Sequence, residues 1–188
     1  MLASVLVLVS CSRNQFAAPA VDRAATIRSG PPIPVEQAWM LDQSGPSATD
    51  TTVWFNPAEP RTVLLRHAPP DNAVYAVIDV PAGAVAPAAG DSASITIAPT
   101  PGRFALSIST SGALTGPLVV TFSYATHFQA PSDAVARYPS PTRFDQAMGA
   151  GMLEGAGMIR FLPITRPAAD MMQFTVSAPG TYVLAAPK

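Results

Sequence analysis

Lysine is almost missing from this 188-residue chain: Lys188 is the single one, and the other basic residues are arginines spread one at a time. With a formal net charge of −1, the chain has no basic patch to release counterions from a phosphate backbone, which argues against a nucleic-acid partner. Charged residues make up 12% of the chain, about half the ~25% usual for soluble domains. Cysteine occurs once, at Cys11, so an intramolecular disulfide is impossible and a cysteine-based zinc site is excluded. Histidine occurs twice, at His67 and His127.

Catalytic signatures are missing as well. No Gly-x-Ser-x-Gly turn occurs, so a hydrolase nucleophile elbow is absent. The glycines at 149, 151, 155 and 157 are not followed by the Lys-Ser/Thr of a phosphate-binding loop, and the segment reads as a flexible, partly apolar loop. No Asp-x-Asp-x-Asp spacing supports calcium. No cofactor and no metal are therefore expected.

What the chain does have is proline, 21 residues of it, and a patterned N-terminus. Proline removes amide donors and disfavours long helices. Leu2 to Val9 is an unbroken apolar run, too short for the ~20 residues of a spanning helix but of the length of a signal-peptide core. It ends in Leu8-Val9-Ser10-Cys11, which resembles the bacterial lipobox. That resemblance implies cleavage before Cys11 and acylation of the cysteine, with Ser12 compatible with outer-membrane sorting. No basic residue precedes the run, which points to a start codon upstream of Met1. Ser12 to Pro34 has no sustained period and carries Gly30-Pro31-Pro32, as a tether would. The expected organisation is a lipoprotein signal peptide over 1–10, a flexible tether over 11–34 and one domain over 35–188.

Within the domain, the hydrophobic pattern from about Thr51 repeats every second residue, the period of a strand with one buried face. Val74, Ala76, Ile78 and Val80 share a face, with Tyr75 and Asp79 opposite. Ala93, Ile95 and Ile97 form a second such series, Phe104, Leu106 and Ile108 a third, Leu118, Val120, Phe122 and Tyr124 a fourth, and Met172, Phe174 and Val176 a fifth. Tyr182 and Leu184 follow Pro179-Gly180, while Thr62 to His67 and Met158 to Leu162 are further strand candidates. Val35 to Asp42 reads equally as a short helix or a strand. Proline–glycine turns at short, regular spacing between these runs predict an all-β antiparallel sandwich, immunoglobulin-like or ZU5-like.

The ZU5 comparison rests on the order of four segments: Val80-Pro81-Ala82-Gly83-Ala84-Val85, Ser94 to Pro99, Gly116 to Tyr124, and Gly180 to Ala186. Together they resemble the motif order of ZU5-like domains over Thr62 to Ala186, although Ser111-Gly112-Ala113 stands where that family carries Pro-His-Gly. The resemblance implies an interaction or structural module without a catalytic centre, and it carries over no functional residue.

Side-chain candidates are few. His67 and His127 would need to meet Asp133, Asp145 or Glu154 to bind a metal or move protons; otherwise they merely end a strand and start a loop. Trp54, Phe55 and Tyr75 would make a sugar-stacking platform if exposed, but core packing is the ordinary use of at least two of them. Thr126 to Gly157 is the longest stretch without period, and long loops on rigid sandwiches often carry recognition. A binding surface is therefore placed at Arg137, Tyr138, Arg143 and Phe144. The expected function is a non-catalytic binding or structural module of the cell envelope, lipid-anchored through Cys11 on the periplasmic face of the outer membrane or at the cell surface. Its expected partner is an envelope protein or glycan. The alternatives are a carbohydrate-binding module and, third, an envelope hydrolase.

Overall fold

The computed structural model describes residues 30–88 and 90–188; the expected signal peptide, Cys11 and the expected tether up to residue 29 lie outside them. The period-two runs become strands wherever apolar side chains alternate with small or polar ones. In chain order these are β1 (Ile33–Pro34), β2 (Ala38–Met40), β3 (Asp42–Gln43), β4 (Thr51–Phe55), β5 (Arg61–Arg66), β6 (Val74–Val80), β7 (Ala93–Pro99) and β8 (Ala105–Thr110). They continue with β9 (Leu118–Ser123), β10 (Phe128–Gln129), β11 (Gly149–Glu154), β12 (Met158–Phe161), β13 (Ile164–Thr165), β14 (Met171–Val176) and β15 (Gly180–Pro187). The single α-helix among the described residues is α1 (Pro141–Ala147), and none there is long and apolar enough to cross a membrane.

The strands form two antiparallel sheets facing each other across one core. The larger, eight-stranded sheet runs β1-β12-β11-β15-β8-β7-β4, with β2 also paired to β15. The smaller, five-stranded sheet runs β13-β14-β9-β6-β5, and β10 with β3 makes a separate two-stranded ribbon. Ile95, Ile97, Leu106, Ile108, Tyr182 and Leu184 project from the larger sheet into the same cluster as Val63, Ile78, Val120, Phe122, Phe174 and Val176 from the smaller. Phe174 and Tyr182 meet across the gap with ring centroids 5.7 Å apart. Fully burying each such side chain contributes about 1.5–3 kcal/mol, which lets the sandwich stand without crosslinks. The all-β antiparallel sandwich expected from the pattern is the architecture observed.

Three local features differ from the sequence reading. The stretch from Val35 is both things it suggested: a 3₁₀ turn over Val35–Gln37 followed directly by β2. The chain also joins the sheet before Val35, because Ile33 pairs with Ile159 and Pro34 with Met158. Ile33, Val35 and Met40 cover a second apolar cluster of Ala38, Ala105, Ile159, Val183 and Ala185. This cluster lies on the outer face of the larger sheet, since Val183 and Ala185 alternate with the core-facing Tyr182 and Leu184.

Tyr75 is the second difference. The register slips so that Leu65 opposes Ala76 while Arg66 opposes Val74, leaving Tyr75 as the extra residue of a β-bulge. A bulge re-aims its side chain, and Tyr75 is turned into the core, fully buried beside Ala76 rather than on the opposite face.

The third is the glycine-rich segment expected to be a flexible loop. Gly149–Glu154 is instead β11, an interior strand paired on one edge with β12 and on the other with β15. Glycine fits because the neighbours come close: a Cβ on Gly151 would lie 2.6 Å from Ile159 Cδ1.

Candidate functional site

The segment after β10 folds against the end of the sandwich as a short 3₁₀ turn, Ser132–Ala136, and then α1. Proline at Pro141 suits the first helical position, where no amide donor is needed, and the Ser140 hydroxyl accepts from the Arg143 amide at 3.3 Å to cap the helix. At the other end, Arg166 reaches across to cap the C-terminus. Its guanidinium donates to the Asp145 carbonyl at 2.6 Å, to the Met148 carbonyl at 3.2 Å and to the Asp145 carboxylate at 3.2 Å. A cation on the last carbonyls of a helix satisfies orphan acceptors and complements the helix dipole.

This scaffold sorts the four residues proposed as a binding loop. Phe144 is fully buried, between Tyr138 at 5.7 Å and Phe128 at 6.2 Å, so it belongs to the core and presents nothing to a partner. Tyr138 is half-buried, its hydroxyl donating to the Pro187 carbonyl at 2.6 Å and its ring edge-on to Trp39. Trp39 in turn donates to the Asp133 carboxylate at 2.8 Å and lies under Lys188, whose ammonium is 5.4 Å from the ring centre. Arg137 and Arg143 are exposed and line one open groove of about 580 Å³ with Tyr138, Pro139, Gln146 and Ala147. No carboxylate lines it, and among the described residues neither guanidinium has an ion-pair partner. Arg137 also lies over the Tyr138 ring, 5.9 Å from its centre. Two arginines that looked scattered in sequence thus share one surface.

A second constellation lies elsewhere, and the sequence reading lacked one of its members. His67, at the end of β5, His127, just before β10, and Asp71, in the turn between β5 and β6, bring one ligand atom each within 4.8 Å of one another. His127 Nε2 donates to Asp71 Oδ2, and that bond holds the Asp71 carboxyl below its ordinary range. The Asp71 side chain also accepts from the Ala73 amide at 3.3 Å, while the Arg66 guanidinium ties down the turn through the Asn72 carbonyl at 2.9 Å. His67 is buried, its Nδ1 sits 2.8 Å from the Pro46 carbonyl, and its ring centre is 4.5 Å from that of His127.

None of the carboxylates considered as partners for the histidines reaches them. Asp133 holds Trp39, Asp145 holds Tyr124 and Arg166, and Glu154 pairs with Arg160. The one sequence signal for Asp71 is its place four residues after His67, across Pro69-Pro70. The aromatic platform is not assembled either: Trp54 is exposed, Phe55 packs half-buried on the core and Tyr75 lies inside.

No protein-family model, curated protein or solved structure matches this chain.

Proposed function

We propose that this chain is a non-catalytic binding module of the cell envelope, held by a lipid at Cys11, that grips an anionic group on an envelope protein or glycan in the groove between Arg137 and Arg143. The observation that carries the reading is the groove itself: two guanidiniums without ion-pair partners among the described residues, no carboxylate in the lining, and a rigid aromatic pile beneath. Arginine presents planar, permanently charged donors matched to carboxylates and phosphates. Fixing Arg137 over the Tyr138 ring lowers the entropy lost on capturing a ligand. The apolar run ending at Cys11 and the ZU5-like motif order support the address and the absence of chemistry. The anchor would keep the groove outside the cytoplasm, where nucleic acid does not compete.

Two experiments test the two halves. Metabolic labelling with a fatty-acid analogue should mark the wild-type chain and not Cys11→Ser; labelling that survives the substitution removes the anchor. Co-sedimentation with purified peptidoglycan sacculi, whose stem peptides carry free carboxylates, tests the groove. With charge-assisted hydrogen bonds worth about 1.5–3 kcal/mol each, Arg137→Ala/Arg143→Ala should lose at least tenfold in retention. A wild-type chain that ignores sacculi, or a double variant that binds as wild type does, overturns that ligand. A glycan array distinguishes the neutral-sugar alternative, which predicts dependence on Trp54 and indifference to both arginines.

A further inference from the structure

We infer that His67, Asp71 and His127 form a binding site for one borderline divalent transition-metal ion of the Zn²⁺ class, which would clasp the β3–β10 ribbon to the β5–β6 end of the sandwich. This inference is independent of the arginine groove. Two imidazoles and one carboxylate are a donor set that suits Zn²⁺, Co²⁺ and Ni²⁺ far better than Ca²⁺ or Mg²⁺, which take oxygen ligands. Around a tetrahedral ion with bonds of ~2.0–2.2 Å the donors stand roughly 3.3 Å apart. One donor atom from each of the three residues already lies within 4.8 Å of the other two; binding would draw His67 toward the ion and part the hydrogen-bonded Asp71 and His127 atoms.

The surroundings are those a ligating histidine requires. A backbone carbonyl accepts only, so the Pro46 carbonyl, 2.8 Å from His67 Nδ1, fixes the proton on that nitrogen. The lone pair is then left on Nε2, which makes no hydrogen bond among the described residues. Metal-bound histidines are oriented in this way, by donating their other ring N–H to a backbone carbonyl or carboxylate. Gln43, also buried, donates to the same Pro46 carbonyl at 3.0 Å and holds it in place.

The His127 ring is seated by Gly45. A Cβ there would lie 2.5 Å from His127 Cε1, and Gly45 has a φ of +96°, so the position accepts no side chain on either ground. When an ion binds, the His127 Nε2 proton shifts to Nδ1. The Nε2 lone pair and an Asp71 oxygen, now hydrogen-bonded to each other, both turn to the ion. A water molecule takes the fourth position. Asp71 and His127 are 56 residues apart in sequence, so the ion would close a long loop in a chain that has no disulfide to do so.

The test is a titration of the full chain, without an affinity histidine tag and with Cys11→Ser so that the thiol contributes nothing. Co²⁺ should bind at one equivalent with the intense visible absorption of a tetrahedral site, and Zn²⁺ should displace it. A hundredfold excess of Zn²⁺ over its Kd should raise Tm by roughly 5–10 °C. His127→Gln and Asp71→Asn, both at partly exposed positions, should each abolish the absorption and the Tm rise while keeping the β-sheet circular dichroism spectrum. Absence of a Co²⁺ band in the parent chain, or a band that persists in both variants, overturns the site. Because the parent titration decides by itself, a variant that fails to fold does not rescue the inference.

Discussion

Tyr75 and Ala105 are joined by a reciprocal pair of hydrogen bonds across the sandwich: the phenol donates to the Ala105 carbonyl at 2.8 Å and accepts from the Ala105 amide at 3.0 Å. The smaller sheet is thereby bolted to the first residue of β8, at the edge of the core. The Tyr75 ring stacks on Phe104 at 5.6 Å and meets Phe122 edge-on at 5.5 Å.

Tyr75→Phe keeps the ring and removes the bolt. The Ala105 carbonyl retains the Thr100 amide at 2.8 Å, but the Ala105 amide is left buried without a partner. The expected loss is about 1–3 kcal/mol, read as a lower urea midpoint with an unchanged m-value.

Alkali should unfold the protein through its buried phenols. Burial pushes Tyr75, Tyr124 and Tyr182 up from the ordinary value near 10; for Tyr124 the Asp145 carboxylate adds to the effect. Below pH 10 both states hold these protons. Above it the unfolded state releases them and the folded state does not, so stability falls as pH rises from the unfolded pKa toward the folded values. Each such proton steepens the decline by about 1.4 kcal/mol per pH unit. Tyrosinate absorbance should therefore appear together with loss of the far-ultraviolet signal; full ionisation of a still-folded chain would contradict this.

Arg166→Met should loosen α1 before it disturbs the strands of the sandwich. The Tyr124 hydroxyl accepts from Arg166 at 2.5 Å and lies 2.8 Å from the Asp145 carboxylate, so the substitution breaks a connected network as well as the helix cap. The expected cost is about 2–3 kcal/mol, with amide exchange accelerated over residues 141–148 before it rises in β9 or β14.

Gly151→Ala should cost about 1–3 kcal/mol by overpacking against the fully buried Ile159. Ile159→Ala removes both atoms that the new Cβ would strike, Cγ1 and Cδ1, each 2.6 Å away, so the pair should be less destabilised than the sum of the two single changes. A double-mutant cycle measures that coupling.

These sites show where the sequence was readable. Strands such as β7, β8 and β9 are legible because each has one face in the core, which forces the alternation of Ile95 and Ile97 with Ser94 and Thr96. β11 is not, because an interior strand pressed between β12 and β15 selects small residues at Gly149, Ala150 and Gly151, and no period survives. The alternation in β6 places Tyr75 on the wrong face because a bulge depends on its partner strand and leaves no mark in its own. The groove arginines were legible as a region, through the aperiodic length of the segment around them. Phe144, apolar within that segment, was needed to hold α1 down. The meeting of His67 with His127 depends on β10 pairing with β3, a contact made only by the tertiary fold.

One consequence follows from the place of β15 in the larger sheet. It pairs on one side with β11, on the other with β8, and at its end with β2. The β7–β8 and β11–β12 hairpins can each form locally, but β15 is the seam between them and follows both in the chain. Until it inserts, β8 and β11 each present an unpaired edge, the exposed template on which strands of other molecules add. The hazard of misassembly is therefore concentrated in the interval before this one strand is placed.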